Sequence, residues 1–305
     1  MIKPLYQFAS LLFVAITTTC TAQQDVMLSQ PYANQLYLNP AFTGSSDAHR
    51  LNANYRYQWG GAFTTGMLSY DQNIVDSANG IGLLAERDYA GKGLTTTTSV
   101  LALYAHNFYL GKSFWLSAGM KTGIVSESLN QTLIFPDGTR ETISQPATVG
   151  DFSAGVLGYG KHYYIGFAVD HIAEPQQNFA PGIDGVLVRK YTLNAGGMIN
   201  FPDFAISPNI LLETTGGIFV TNFGLYLILK NIVQVGAWFK PYDDVAPFVL
   251  MAGLQLKNVH IGYSLDVANT SMTPGFGNGY THEFSLALLL PSKIAHSNKI
   301  NCPNF

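Results

Sequence analysis

Apolar and polar residues alternate with a period of two along several stretches of this chain. In residues 50–59 every second position is apolar, and the positions between them carry arginine or amide side chains. The same alternation returns in 162–170, 260–267 and 283–290. A period of two predicts β-strands with one apolar and one polar face. Beyond residue 22, no stretch approaches the roughly 18 apolar residues that indicate a membrane-spanning helix.

The connections between these stretches alternate in length. Tight turns are predicted at 110–112, 160–161, 201–203, 230–231 and 257–258. Longer polar connections are predicted at 126–149, 172–188, 213–218, 241–246 and 268–279. Short turns at one end and long loops at the other are typical of an up-and-down membrane barrel, whose short turns face the periplasm.

The pattern therefore predicts an all-β fold, a transmembrane antiparallel up-and-down β-barrel of about 14 strands within residues 50–290. Each predicted strand is near the roughly 9–11 residues that a tilted membrane strand needs. Closure pairs every strand edge, so no backbone group is left unsatisfied in lipid. The predicted strands are 50–59, 63–74, 80–88, 95–107, 113–125, 150–159, 162–171, 189–200, 204–212, 219–228, 232–240, 247–256, 259–267 and 281–290.

Composition agrees with a membrane wall. Charged residues make up 11% of the chain, whereas an ordinary soluble protein has roughly 25%. Mean hydropathy is only +0.14, which is too low for a bundle of membrane helices but suits a wall with one polar face. The net charge of −3 gives no indication of a nucleic-acid partner.

The first 22 residues have the features of a secretory signal peptide. Lys3 supplies a positive end, residues 8–16 form a short apolar core, and small residues at 20–22 suit cleavage after Ala22. A membrane anchor would need about 20 apolar residues. Retention of Cys20 as a lipidated residue is an alternative, although the preceding threonines do not resemble a lipobox. Either reading predicts export.

Residues 23–49 precede the first predicted strand and are expected on its periplasmic side. They are rich in amides and aromatics and lack helical periodicity. Three arrangements stay open: a plug folded into the lumen, a docking surface beneath the barrel, or a loosely ordered leader. Residues 291–305 are predicted to form a periplasmic tail, in which the role of Cys302 stays open.

The sequence contains no motif for catalysis or metal binding. There is no G-x-S-x-G nucleophile motif and no H-E-x-x-H motif. His282 and Glu283 are strand neighbours, so their side chains point to opposite faces and cannot hold one ion. The pairs Gly196–Gly197 and Gly216–Gly217 are not followed by predicted helices and indicate bends or bulges in the wall rather than phosphate loops. We therefore expect no enzyme activity, no cofactor and no metal.

Two stretches near the start and three near the end resemble the PorP/SprF family of type IX secretion proteins. "LSQPYANQLYLNPAFTG" (28–44) is similar to the family's first motif, and "YRYQW" (55–59) with Ser69 and Asp71 to its second. Near the end, "GYSLD" (262–266), "THEFSL" (281–286) and "CPNF" (302–305) resemble further family motifs. Leu265 and Asn304 depart from the family pattern, which puts those local contacts in doubt but not the fold.

The resemblance implies an outer-membrane barrel without enzymatic chemistry. Its implied partners are a secreted adhesin or its C-terminal signal domain, the periplasmic type IX secretion or gliding components, and outer-membrane lipid. A channel for small or hydrophobic solutes is the alternative function. A third reading is a soluble secreted β-sandwich with carbohydrate-binding loops. The candidate partner-binding or lumen residues are Ser29, Gln30, Asn34, Asn39, Pro40, Gly44, Arg56, Gln58, Asp71, Asp266 and Glu283.

Charged residues on the polar strand faces are expected to point into the lumen, because charges at membrane depth need a wet or paired setting. These residues are Arg50, Arg56, Lys121, Asp151, Asp170, Asp266 and Glu283. They are expected either to hold the N-terminal segment or a partner's terminus, or to form ion pairs that stiffen the barrel. Trp59, Trp115 and Trp238 lie near predicted strand ends and are expected mainly in an aromatic girdle at the lipid interface.

Overall fold

A computed structural model describes residues 25–290, with gaps at 75–77, 111–112, 135–139, 181–182, 242–247 and 268–278. The predicted signal peptide and the predicted tail, including Cys302, lie outside the described residues.

The described residues are mainly β-strands that close into one barrel. β1 to β7, β10 with its short continuation β11, and β12 to β17 form a closed 14-stranded antiparallel barrel, as predicted. The strands are β1 His49–Gln58, β2 Phe63–Ile74, β3 Asn79–Ala90, β4 Thr95–Tyr109, β5 Trp115–Ile134, β6 Arg140–Tyr159, β7 Tyr163–Asp170, β8 Gln176–Ala180, β9 Ile183–Val186, β10 Lys190–Gly197, β11 Ile199–Asn200, β12 Phe204–Thr215, β13 Ile218–Leu229, β14 Val233–Phe239, β15 Phe248–Gln255, β16 Val259–Val267 and β17 Thr281–Leu290.

Pairing between the first and the last strand closes the cylinder. β1 pairs with β17 over its whole length, from His49 opposite Leu290 to Gln58 opposite Thr281. β10 pairs with β7 on one side and with β12 on the other, which bridges the β8–β9 excursion. The backbone of the wall therefore has no open edge to lipid.

The alternation in the sequence sets which face each residue takes. On β1 the apolar Leu51, Tyr55 and Tyr57 are exposed on the outer surface, while Asn52, Asn54 and Arg56 are buried inside. The seven charged residues expected in the lumen are all buried on inward faces. A wall with this polarity is apolar towards lipid and polar within.

The barrel has two distinct rims. The rim that carries His49 and Leu290, here called the turn rim, has the connections 75–78, 110–114, 160–162, 198–203, 230–232 and 256–258. The opposite rim, here called the loop rim, has the connections 59–62, 91–94, 135–139, 171–189, 216–217, 240–247 and 268–280. The longest connections lie at the loop rim, so the connection-length rule predicts that this rim faces outwards and that the turn rim faces the periplasm.

One long loop of the sequence prediction is wrong. Residues 126–149 were expected to be a polar connection, but β5 and β6 continue to Ile134 and back from Arg140, paired residue by residue. Their outer halves project beyond the loop rim. The backbone ladder continues through these halves, although their sequence lacks the hydrophobic alternation of the wall.

Two other connections at the loop rim also differ from expectation. The predicted loop 172–188 contains the hairpin of β8 and β9. The predicted loop 213–218 is almost entirely strand, because β12 reaches Thr215 and β13 starts at Ile218. Gly216 and Gly217 therefore form a two-residue hairpin turn rather than a bend in the wall.

The expected aromatic girdle fails for two of the three tryptophans. Trp115 and Trp238 are buried on the inward face, and only Trp59 lies half-buried at the loop rim beside Phe63. Trp115 and Trp238 both belong to an apolar core inside the barrel. An aromatic residue near a strand end therefore need not face lipid. Among the described residues, no helix is long and apolar enough to cross a membrane.

Candidate functional site: the filled lumen

Residues 25–46, here called the N-terminal segment, lie inside the barrel. They form a 3₁₀-helix at Pro31–Asn34, one α-helical turn at Gln35–Leu38 and a second 3₁₀-helix at Pro40–Phe42. A proline begins both 3₁₀-helices, where its missing N–H costs nothing and its fixed φ suits a helical turn. Asn39 caps the second one, since its side chain accepts a hydrogen bond from Ala41 N at 2.9 Å.

Apolar side chains of the segment form a core with inward-facing residues of the wall. Leu36, Phe42 and the wall residues Leu84 and Leu157 have no exposed surface. The Tyr32 ring stacks on Trp238 at a centroid distance of 5.6 Å. This contact explains why Trp238 faces inwards.

A buried polar network holds the segment below the loop rim. The Glu283 carboxylate accepts hydrogen bonds from the backbone N–H groups of Ser29 (2.7 Å) and Gln30 (3.1 Å). Arg56 forms ion pairs with Glu283 (3.3 Å) and Asp266 (3.5 Å), and it donates to the Ser29 hydroxyl. The Ser29 hydroxyl in turn donates to Asp266 at 2.5 Å.

Contacts in the middle of the lumen are directed at backbone carbonyls. The Asn39 side-chain amide donates to the carbonyls of Val156 (3.0 Å) and Phe167 (3.3 Å) in the wall. Lys121 donates to the carbonyl of Tyr37 at 3.1 Å and pairs with Asp170 at 2.8 Å. These bonds fix the path of the chain rather than reading its side chains.

A second arginine holds the segment at the turn rim. Arg50 pairs with Asp71 through Nε at 2.8 Å and also donates to Gln35 Oε1 (2.6 Å) and the Phe42 carbonyl (3.1 Å). Asp71 accepts from Gly44 N at 2.8 Å. Gly44 has a φ of 65°, and a Cβ there would lie 2.6 Å from the Gly80 backbone, so only glycine fits this position.

The first described residue is held by ion pairs at the loop rim. Asp25 lies 2.8 Å from Lys190 Nζ and 3.1 Å from His171 Nε2, and His171 Nδ1 lies 3.0 Å from Asp151. His171 follows β7 directly, and Lys190 begins β10. The start of the segment is thus tied to the connection between these strands.

The surroundings of His171 and Asp25 shift their pKa values in the directions that favour the charged form of both groups. Burial alone would lower the pKa of His171, but the carboxylates of Asp25 and Asp151 raise it from 6.5 to about 10. Burial alone would raise the pKa of Asp25, but Lys190 and His171 hold it well below 3.8. The stabilisation from His171 is complete below pH 6.5 and lost as pH rises through about 10. That from Asp25 is complete above pH 3.8 and lost in stronger acid.

The segment crosses the lumen from one rim to the other. Asp25 contacts residues of the loop rim, whereas Gly44 and Ser46 contact the end of β2 at the turn rim. The sequence predicts residues 23–49 on the periplasmic side of the first strand. In the structure only the end of the segment lies at the rim assigned to the periplasm, and its start lies at the opposite rim. The chain reverses at Ala48 to enter β1.

The wall makes room for the segment at Gly119 on β5. A Cβ at this position would lie 2.5 Å from the backbone of Pro40 and Ala41. No displacement of a flexible side chain could relieve such a contact, because the neighbouring atoms are backbone. The closest approach of segment and wall therefore depends on a missing side chain.

Ten of the eleven candidate residues lie together in the lumen, where the segment meets the wall. They are Ser29, Gln30, Asn34, Asn39, Pro40, Gly44, Arg56, Asp71, Asp266 and Glu283. Gln58 does not join them: it is half-buried at the end of β1 and accepts only a 3.5 Å contact from Arg56.

Several residues that hold the segment were not among the candidates. Asp25, His171, Lys190 and Lys240 belong to the ion-pair networks, and Trp238 carries the stacking contact. Lys190 and Lys240 could have been identified from the sequence, because each is a charged residue at the end of a predicted strand. His171 and Asp25 gave none, because their proximity depends on the path of the segment. In the part of the chain that the structure describes, no three His, Cys, Asp or Glu residues are grouped to hold a metal.

The fold and the lumen define an outer-membrane β-barrel whose interior is filled by its own N-terminal segment. The family model for the type IX secretion system membrane protein PorP/SprF matches residues 20–288. The chain belongs to this family and is a membrane component of type IX secretion, located in the outer membrane. No curated protein matches the sequence significantly.

Solved outer-membrane barrels resemble the fold at low sequence identity. Omp33 of Acinetobacter baumannii shares 10% identity with a TM-score of 0.45, over 80% of this chain and 98% of that chain. A Pseudomonas aeruginosa FadL homologue shares 12% at a TM-score of 0.47, over 83% and 92%. The Pseudomonas putida toluene transporter TodX shares 10% at a TM-score of 0.48, over 83% and 92%. At these levels no property of those proteins is transferred to this chain.

Replacing Gly119 by valine should displace the segment from the wall. The new side chain clashes with backbone at Pro40 and Ala41, so we expect a loss of about 1–3 kcal/mol in the free energy of unfolding. Gly66, whose Cβ would meet nothing within 4 Å, provides the matched control as Gly66→Val. Urea unfolding in lipid vesicles measures the stability. Chymotrypsin cleavage at Tyr32 and Tyr37 reports release of the segment. Equal protection in both variants would contradict the close approach.

Replacing Glu283 by glutamine should weaken the network below the loop rim. The substitution keeps the shape but leaves Arg56 with less buried counter-charge, at a cost of about 3–5 kcal/mol. Glu174→Gln is the control, because Glu174 pairs with Arg189 at 3.4 Å on the surface and should change stability by less than about 0.5 kcal/mol. The same urea titration distinguishes them, and a Glu283 variant as stable as the control would show that the pair does not hold the segment.

The path of the segment predicts opposite accessibility at its two ends. In a Cys302→Ser background, a membrane-impermeant maleimide should label Met27→Cys on intact cells, because the half-buried Met27 lies near the loop rim. Asp47→Cys, at the turn rim, should be labelled only after the outer membrane is permeabilised. Denatured cells give the reference for complete labelling. The reverse result would invert the assigned orientation.

Proposed function

We propose that this barrel receives or anchors an exported surface adhesin through the adhesin's C-terminal signal domain. It would connect the adhesin to the periplasmic secretion or gliding apparatus without carrying out a reaction. Membership in a type IX secretion family supports a role in protein export. The adhesin and the apparatus are the partners that this role requires.

The filled lumen is the observation that carries the proposal. Residues 25–46 occupy the interior from rim to rim. Ion pairs with Lys190 and His171 hold Asp25 at one end, and hydrogen bonds to the buried Arg50–Asp71 pair hold the other end. Breaking such pairs is costly, since each removal leaves an uncompensated buried charge. A lumen closed in this way favours a role as a fixed attachment site for another protein over a role as a channel for solutes.

The two rims offer surfaces for two different partners. At the loop rim, the β5–β6 hairpin extends beyond the paired wall, and the β8–β9 hairpin packs against it. At the turn rim, short turns surround the end of the segment. An exported protein would engage the first surface and the periplasmic apparatus the second.

The purified barrel should be electrically silent in planar lipid bilayers. The segment that fills the lumen should block the passage of solutes, whereas Gly119→Val should open transient conductance by dislodging it. Steady, solute-selective conductance of the unmodified barrel would favour the alternative, a channel for small or hydrophobic solutes.

The same preparation in mild detergent should retain a large surface protein, identified by mass spectrometry. Deletion of the gene should leave that surface protein unsecreted or unattached. Normal adhesin display in the deletion strain would contradict the proposed role in adhesin attachment.

A further inference from the structure

A small acidic cavity lies at the loop-rim end of the lumen. It has a volume of about 90 Å³ and lies between the start of the segment and the inward faces of β3 to β7 and β10. A single water needs roughly 10–15 Å³ on this measure, so the space can take a small charged group. Its acidic lining residues are Asp25, Glu86, Asp88, Asp151 and Asp170.

The cationic side chains of this cavity are already paired. Lys121 pairs with Asp170 at 2.8 Å, and Lys190 with Asp25 at 2.8 Å. His171 lies between Asp25 and Asp151 at 3.1 and 3.0 Å. Three cations thus face five lining carboxyl groups, so two of these groups have no cationic partner among the described residues.

Glu86 is the acidic residue that this pairing leaves over. Asp88 accepts a hydrogen bond from Thr65 at 2.6 Å, but within the described part of the chain Glu86 has neither an ion pair nor a hydrogen bond. Its side chain is half-buried, so the charge is poorly hydrated yet reachable. A carboxylate in this setting favours a positively charged ligand.

A second, independent feature points to the same ligand. Ser99 is the cross-strand neighbour of Glu86 and lines the cavity with it. Ser99 is only 5% exposed, and its hydroxyl has no hydrogen-bond partner among the described residues. Buried hydroxyls are normally satisfied, so this one is available to accept from a donor in the cavity.

We propose that Glu86 and Ser99 form a binding site for the ammonium or guanidinium group of a lysine or arginine side chain presented by a polypeptide at the loop rim. Glu86 supplies the counter-charge, and Ser99 accepts a hydrogen bond. A charge-assisted pair of this kind is stronger than one between neutral groups. The identification of that polypeptide with the exported adhesin rests on the function proposed above, but the site itself does not.

The test uses the full mature chain in detergent and the peptide acetyl-Lys-Lys-Lys-amide as the probe. Calorimetric titration at low salt should show binding that is lost when the three lysines are Nε-acetylated. Glu86→Gln should weaken binding at least tenfold, and Ser99→Ala several-fold. Glu174→Gln, which removes an exposed carboxylate at the same rim, should bind as the unmodified protein does. Equal binding of the acetylated peptide, or by Glu86→Gln, would overturn the site.

A stability measurement separates the site from a structural role of Glu86. Since no partner is lost, Glu86→Gln should leave the midpoint of thermal unfolding unchanged or raise it, and the probe should raise the midpoint only of proteins with Glu86. A lowered midpoint in the variant would mean that Glu86 is a structural residue and would overturn the proposal.

The two proposals fail in different ways. If the tri-lysine peptide does not bind while the adhesin still co-purifies, the Glu86–Ser99 site is wrong, but the proposed role in adhesin attachment is supported. If the peptide binds but no surface protein co-purifies or is lost on gene deletion, the Glu86–Ser99 site is supported and the proposed role in adhesin attachment is wrong.

Discussion

Two buried arginines on one strand organise the whole interior. Arg56 and Arg50 point inwards from β1 and are six residues, or about 20 Å, apart. Arg56 meets the segment at Ser29, and Arg50 meets it at Gln35 and Phe42. The segment therefore runs back along the strand that follows it. Each guanidinium is paired with a carboxylate of the wall and also donates hydrogen bonds to the segment, so it joins the two.

This arrangement gives the barrel an interior like that of a soluble protein. Leu36 and Phe42 pack against apolar residues of the wall, and the polar groups around them form ion pairs and hydrogen bonds to backbone. The interior is held by these contacts, while the extended β5–β6 hairpin at the loop rim is the surface available to another protein. A protein built this way suits a role of position and specificity, with energy supplied elsewhere.

The charges of the lumen are not balanced along its length. Around Arg50 the cation and the carboxylate match, with Asp71 as the partner. Around Asp25 the carboxylates outnumber the cations, and Glu86 and Ser99 are left without partners among the described residues.

The sequence by itself determined the wall. Strict alternation fixed which side chains face lipid, because a strand one residue out of register would expose Arg50 and Arg56 to hydrocarbon. The sequence motifs also identified most of the residues through which segment and wall contact each other. The outer halves of β5 and β6 lack this alternation, so the sequence predicts a loop where the backbone ladder continues. Only the tertiary structure decided the path of residues 25–46, the inward turn of Trp238 and the meeting of Asp25 with His171. These depend on contacts between residues far apart in the chain, and no local pattern encodes them.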